Sequence, residues 1–310
     1  MADIVTVTLN PAVDVATAVE QIVDTRKLRC SAARRDPGGG GINVARVVQR
    51  LGGDCLALYL CGGATGQMLR ELLDVERVSG LAIGIDGETR ENFSVQESST
   101  GREYRFVLPG PAVAEREWQR CIEHLDALAA PPRYLVMSGS VPPGAPADIY
   151  ARLAHSTRAR GAKVVLDTSG AALAAALDAG VWLVKPSLSE LRALTGKPLA
   201  SEPEWLAAAE QIVRDGRARM VALTLGERGA LLVTADRILR ATGLPVQVSS
   251  SIGAGDSFVA GMVWALDRDA SLEQAFRYGM AAASATLLSA GTALCSRADV
   301  ERLYREVSSN

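Results

Sequence analysis

Short runs of apolar, largely β-branched residues recur along the chain: IVTVTL at 4–9, CLALYLC at 55–61, YLVMS at 134–138, KVVLD at 163–167, WLVK at 182–185 and MVALTL at 220–225. Runs that are apolar at successive positions, and not only at alternate ones, predict strands covered on both faces, as in a mostly parallel sheet. Between them, residues 42–51, 115–129 and 147–160 space their apolar side chains at helical intervals. The βαβα order predicts an α/β fold: a doubly wound, mostly parallel sheet with helices on both faces. Two stretches break this rhythm. NFSVQE at 92–97 and EYRFVL at 103–108 alternate polar with apolar residues around a Ser-Ser-Thr-Gly turn, which predicts a hairpin with one covered face. With the polar residues 13–36 it predicts a small β lid, formed by about 11–36 and 88–108 and inserted in a single domain spanning 1–310. From Gly253 onward the pattern is helical and rich in small residues.

The composition belongs to an ordinary globular protein: of 310 residues, 48% are hydrophobic and 22% charged, which excludes a disordered or low-complexity chain. Lys plus Arg number 33 against 35 Asp plus Glu, so the net charge of -2 offers no global attraction for nucleic acid or an anionic membrane. Any anion binding must be local, and the expected partners are small molecules. No apolar stretch reaches membrane-spanning length and the first residues read as a strand, so a cytoplasmic address is expected. Five cysteines, Cys30, Cys55, Cys61, Cys121 and Cys295, are odd in number and form no CxxC pair, which points to free thiols. The two histidines, His124 and His155, both fall in helical segments, and HExxH, GxSxG, GxxxxGK[ST] and GxGxxG are absent. Chemistry must therefore come from carboxylates, lysines or backbone groups.

Two glycine-rich segments could supply it. Gly38, Gly39, Gly40 and Gly41 run into the helix beginning near Ile42, so that free N–H groups at a helix start face whatever sits in the loop. An anion or a polyhydroxyl ligand fits there; a tight turn is the plainer reading. In SSSIGAGDSF, 249–258, glycines bracket Ala254 and Asp256 opens a helix, which sets backbone donors beside a carboxylate. That pairing suits phosphoryl transfer, in which donors stabilise the transferred phosphate and the carboxylate takes the proton of the attacking hydroxyl. The plainer reading is Asp256 as a helix cap. Three further loops follow predicted strands, SGSVPPG at 138–144, KPSLSEL at 185–191 and TLGERG at 224–229. Ligands of open α/β sheets sit beyond the carboxyl ends of strands, so Ser138, Lys185, Glu190, Thr224 and Gly226 could converge.

GGGGINVAR, KPSxxEL, TLGERGAL and GAGDSF, in that order, resemble the PfkB, or ribokinase-like, sugar kinases over essentially the whole chain. TLNPAVD, GGGGIN, TREN at 89–92, YRFVLPG at 104–110 and GTALCS at 291–296 look most similar to the ATP-dependent 6-phosphofructokinase branch of that family. The resemblance implies a ribokinase-like fold and transfer of the ATP γ-phosphate to O1 of fructose 6-phosphate. It makes Asp256 the base, with the Gly253, Ala254 and Gly255 backbone as the anion hole. Asp14, Gly39, Gly40 and Asn43 would bind sugar hydroxyls, with Lys27, Arg90, Arg105 and position 139 of the SGSVPPG loop completing the substrate set. Lys185, Ser187, Glu190, Thr224, Gly226, Gly229 and Ser284 would line the ATP side, Glu190 serving Mg²⁺ through water. Ser250, Ile252, Thr286, Ser289 and Gly291 would hold K⁺.

The chain also departs from the family pattern. Ser187 stands in place of the Asn of the NxxE motif, and Ser289 and Ala293 replace an expected Asn and Arg beside the cation loop. The resemblance implies a homodimer through the lid, with a tetramer in the presence of ATP. The related 1-phosphofructokinases and tagatose-6-phosphate kinases typically carry Lys at the third glycine of the loop, here Gly40, and remain the runner-up reading. A non-catalytic sugar-phosphate sensor is disfavoured by the intact Asp256, and a NAD-linked oxidoreductase by the missing GxGxxG.

Overall fold

The computed structural model describes residues 2–307. The chain opens with β1 (Ile4–Thr8), leaves for β2 (Ala12–Val19) and β3 (Arg34–Gly38), and returns through α1 (Gly40–Arg50), β4 (Cys55–Cys61), α2 (Gly63–Val75) and β5 (Ser79–Gly84). A hairpin, β6 (Arg90–Glu97) and β7 (Glu103–Phe106), precedes α3 (Glu115–Asp126), β8 (Tyr134–Ser138), α4 (Ile149–Ala159), β9 (Lys163–Asp167), α5 (Gly170–Ala179) and β10 (Val181–Val184). Then come α6 (Leu188–Thr195), α7 (Glu202–Arg214), β11 (Ala218–Thr224), β12 (Ala230–Val233) and β13 (Ile238–Ala241). Three helices finish the chain, α8 (Ala254–Asp267), α9 (Leu272–Leu287) and α10 (Arg297–Tyr304).

Nine strands form one sheet in the order β13-β12-β11-β10-β9-β8-β1-β4-β5. The seven from β11 to β5 pair in parallel, while β12 and β13 close one edge antiparallel. Successive strand residues feed opposite cores, which is why the runs are apolar at every position. Ile4 and Val165 pack with α1, α8 and α9, whereas Val5, Val7, Val164 and Leu166 pack with α3, α4 and α5. Helix α8 is buried nearly all round, and Phe258 meets Phe276 of α9 edge to face with ring centroids 6.1 Å apart.

A second sheet has the order β3-β2-β6-β7, with β2 and β6 parallel and the two outer pairs antiparallel. The expected hairpin lies in it, with Phe93 opposite Phe106 and Val95 opposite Tyr104. β2 and most of β3 fall within residues 11–36, the stretch that the sequence pattern groups with the hairpin. β3, RRDPG, has almost no strand propensity of its own and exists by pairing with β2, and its Pro37 is tolerated because β3 is an edge.

β1 lies between β4 and β8, so the chain winds outward from it in both directions. The carboxyl ends of β1 and its neighbours therefore border the crevice in which doubly wound sheets bind ligands. Among the described residues the cysteines are unpaired, Cys30 exposed and the other four buried, and no helix is long and apolar enough to cross a membrane.

The seat of α8 on α9 gives a first prediction. Phe276→Ala removes a wholly buried ring and is expected to cost ~3–5 kcal/mol of folding stability. Denaturant unfolding at constant m-value checks it; a loss near zero would show that α9 does not seat α8.

Candidate active site

The GAGD segment turns into α8 at Gly253, whose φ of 76° lies in the left-handed region glycine favours. Ser257 N–H donates to the Gly253 carbonyl at 2.8 Å and closes the first turn, leaving the N–H groups of Gly255 and Asp256 without intrahelical acceptors. The Asp256 carboxylate leaves this turn and accepts two hydrogen bonds, from Asn43 Nδ2 at 2.9 Å and from Ser138 Oγ at 3.1 Å. One carboxylate is thus held by α8, α1 and the end of β8.

Behind it, at the ends of β9 and β10, Lys185 Nζ pairs with Asp167 Oδ1 at 3.0 Å. A Cβ on Gly255 would stand 3.3 Å from this ammonium, so a glycine there lets the helix start approach it closely. Burial disfavours the Lys185 charge, yet Asp167, Glu190 and Asp256 outweigh it and raise its pKa above the ordinary lysine value. Asp256 is pushed the other way. Burial and then the Asp167 charge raise it to about 7, against the pull of Asn43, Lys185 and Ser138.

A cavity of about 180 Å³ opens in front of Asp256. Gly39, Gly40, Asn43 and Gly253 line it from the main sheet's side, and Asp14, Arg90, Asn92 and Arg105 from the small sheet. Asp14 Oδ1 accepts from Asn92 Nδ2 at 2.9 Å; burial raises the Asp14 pKa, while that hydrogen bond and the charges of Arg46, Arg90 and Arg105 oppose the rise. Arg90 spends donors on backbone carbonyls, on Asn10 at 2.8 Å, Pro11 at 3.4 Å and Leu108, so it braces the two sheets as well as lining the cavity.

Two members of the expected substrate set stand apart. Lys27 is exposed in the segment between β2 and β3 and does not line this cavity. Position 139 is a glycine at φ 111°, whose carbonyl is taken by the Thr168 and Tyr150 hydroxyls. Its neighbour Ser140 accepts from the Asn10 amide at 3.1 Å and lines an adjoining cavity with Arg90.

On the expected nucleotide side, Ser187 caps α6 and shares a capping box with Glu190. The serine hydroxyl accepts from the Glu190 N–H at 3.2 Å, and the glutamate accepts from the Ser187 N–H at 2.7 Å. Serine here does the capping that asparagine also does well. Ser187 bridges to Thr224, whose N–H donates to the Pro186 carbonyl at 3.0 Å. Gly226 and Gly229 shape the turn after β11 and Ser284 is buried on α9; among the described residues no hydrogen bond ties these three to Asp256.

The expected cation residues lie in the loop before α8 and at the end of α9 with the loop after it. Ser249 N–H donates to the Leu287 carbonyl at 2.7 Å, Thr286 Oγ1 to Ser257 at 2.7 Å, and Ser289 Oγ to the Leu294 carbonyl at 2.7 Å. Ser250 Oγ donates to the Glu103 carboxylate at 3.0 Å, its N–H partner being Ile252 at 3.2 Å, while Gly291 turns at φ 56°. Asn92 lies in the TREN segment but is given no role by it, and Asp167 escapes a reading by motif. Asp167 is the last residue of a strand on the same edge as Lys185, and that position is the one signal that points to it.

A carboxylate raised toward neutrality beside a helix start, a lysine ammonium and a polar cavity is an arrangement for group transfer to a hydroxyl. Residues 1–299 match the pfkB family carbohydrate kinases. The chain belongs to that family. As a pfkB kinase it is similar to an ATP-dependent 6-phosphofructokinase isozyme 2 of Mycobacterium tuberculosis, at 46% identity over 97% of this chain and 88% of the relative. The crystal structure of phosphofructokinase-2 from Escherichia coli in complex with potassium superposes with a TM-score of 0.94 at 41% identity, covering 99% of each chain. A 1-phosphofructokinase of Xanthomonas campestris is 36% identical over 89% of this chain and 88% of the relative. The main sheet and its flanking helices are thus the ribokinase-like fold of these carbohydrate kinases.

The Asp256 environment predicts opposite effects of one substitution on turnover and stability. Because the folded-state pKa of about 7 exceeds the ~3.9 of an unfolded chain, Asp256 opposes folding increasingly as pH rises between those values, and fully above them. Asp256→Asn is expected to raise Tm above neutral pH while lowering kcat by ~10² to 10⁴. In the wild type, kcat/KM should fall as pH drops below about 7. Thermal unfolding and pH-rate profiles of both proteins check this; near wild-type turnover in Asp256→Asn removes the carboxylate from the chemistry.

Proposed function

We propose that this kinase transfers the ATP γ-phosphate to O1 of fructose 6-phosphate. The observation that carries the reading is the single cavity joining Asp256 and Gly253 to Asp14, Asn43, Arg90 and Arg105: a proton acceptor, hydroxyl-binding groups and two guanidinium groups for a phosphate. The sugar hydroxyl oxygen bonds to the γ-phosphorus as the bond to the β,γ-bridging oxygen breaks; the hydroxyl proton passes to Asp256 and ADP leaves. The N–H groups at the start of α8 and the Lys185 ammonium are read as stabilising charge on the transferred phosphate.

Among the described residues no three carboxylate, His or Cys side chains gather as a metal cage. That fits Mg²⁺ carried largely by ATP phosphates and water, with Glu190 reaching it through water. The hydroxyl and carbonyl oxygens around Ser250, Ile252, Thr286, Ser289 and Gly291 are the hard donors a K⁺ ion takes, and an ion there would fix the turn that leads into α8.

Gly40 favours 6-phosphofructokinase activity over the runner-up, a 1-phosphofructokinase or tagatose-6-phosphate kinase. A Cβ at this position would lie 2.2 Å from Ser138 Oγ and 2.8 Å from the Gly139 nitrogen, so the wall of this chain has room for glycine and not for a lysine without shifting. Turnover against a panel of mono-phosphorylated ketohexoses, with ATP consumption measured, tests the reading. Fructose 6-phosphate is expected to give the highest kcat/KM, and Arg105→Ala to raise its KM by roughly 10 to 150-fold without moving the KM for ATP.

The small sheet is read as a lid over the sugar and as the contact between two copies of the chain. Phe93, Phe106, Val107 and Leu108 are exposed on it, and a second small sheet would cover them. Lys27, exposed on the same unit, is read as completing a sugar-phosphate site at that contact. Phe106→Asp is expected to shift a dimer toward monomer in light scattering and to weaken sugar binding in parallel. A wild-type chain that is monomeric and fully active would exclude this assembly.

A further inference from the structure

Helix α1 carries a second side chain that bears on Asp256 without touching the cavity. Arg46 lies one helical turn after Asn43 and is completely buried. Its Nε and Nη2 donate to Glu76 Oε1 at 3.0 and 2.6 Å, and its Nη1 donates to the Pro37 carbonyl at 2.8 Å, the Thr292 carbonyl at 3.3 Å and Asn43 Oδ1 at 3.2 Å. Asp36 lies 3.8 Å away. Asn43 and Thr292 both line the cavity, so the guanidinium sits behind its wall and grips two of its members.

We infer that Arg46 is a positioning residue for the catalytic carboxylate: it locks the Asn43 amide in the orientation whose NH₂ donates to Asp256. The inference rests on Asp256 as the proton acceptor. An asparagine amide rotated by half a turn exchanges its oxygen and nitrogen, and then an oxygen lone pair would face the carboxylate. Arginine has donors and no acceptor. With its Nη1 against one end of the amide, only Oδ1 can sit there, and Nδ2 must face Asp256.

Packing alone does not call for this cation. Replacing a buried ion pair by apolar groups of similar volume often leaves stability unchanged, so a fully buried arginine spanning α1, α2, β3 and the 292 loop needs a further reason. Orientation of Asn43 supplies one. The other groups facing Asp256 are Ser138 at the end of β8, Asp167 at the end of β9 and Lys185 after β10; Arg46 hydrogen-bonds to none of them.

Arg46→Lys tests the inference, because one ammonium cannot hold Glu76, Pro37, Thr292 and Asn43 together. The comparison variant is Glu76→Gln, which loosens the same network but leaves the guanidinium against Asn43. Asp256 is titrated by carbon-13 side-chain NMR in the unliganded enzyme, alongside kcat, both KM values and Tm. Arg46→Lys is expected to raise the Asp256 midpoint by at least ~0.5 pH unit, since the charged form loses a donor, and to lower kcat about tenfold with the KM for ATP unchanged.

Glu76→Gln is expected to lower Tm and to leave the midpoint in place. Should Arg46→Lys not fold, the double variant Arg46→Met/Glu76→Leu removes both charges together and should show the same upward shift at near wild-type Tm. An unmoved midpoint in the arginine variants, or an equal shift in Glu76→Gln, overturns the inference. Full turnover by Asp256→Asn overturns the proton-acceptor reading instead, and the titration still reports on Arg46.

Discussion

The site depends on one electrostatic constraint: two carboxylates, Asp167 and Asp256, share the neighbourhood of a single ammonium, Lys185, where water is largely excluded. Ion pairing settles Asp167 and Lys185 with each other at 3.0 Å. Asp256 is left with hydrogen bonds from two neutral groups, Asn43 and Ser138, and its proton affinity rises to about 7. A carboxylate so placed is more basic than an ordinary surface aspartate, the property that the proposed role of proton acceptor calls for. The cost in folding stability is tolerated because the surrounding apolar layers are extensive on both faces of the sheet.

Much of the remaining polar architecture holds this geometry in place. Glu76, at the end of α2, receives both Arg46 and Arg50, and these arginines reach the carbonyls of Thr292, Ala293 and Cys295. The Arg46 and Arg50 charges hold the Glu76 carboxyl below the usual carboxylate range even though burial works against it. Arg34 and Thr292 both donate to Asp36, tying β3 to the same loop. Arg90 does the equivalent on the other side, fastening β6 to the carbonyls that follow β1. Charged side chains thus join the small sheet to the main one, together with Val13 and Val15 of β2, which are buried in the same apolar cluster as Ile4 and α1.

What the sequence determined by itself is local or periodic. Apolar runs with side chains on both faces specified the parallel strands; helical spacing specified α1, α3 and α4; and the alternation around residues 98–101 specified the β6–β7 hairpin. The glycine segments announced turns at which backbone and ligand come close. Tertiary structure decided the rest. β3 has no pattern of its own and forms because β2 offers it an edge, and Asp167 gains meaning only when β9 and β10 set it 3.0 Å from Lys185. Asn92 and Asp14 lie on different strands and meet because β2 and β6 pair in register, and Arg46 reaches Glu76 and Thr292 only because α2 and the last loop pack against α1. Hydrogen bonds and ion pairs act over about 3 Å, a distance that a linear pattern of polar and apolar residues does not encode for groups far apart along the chain.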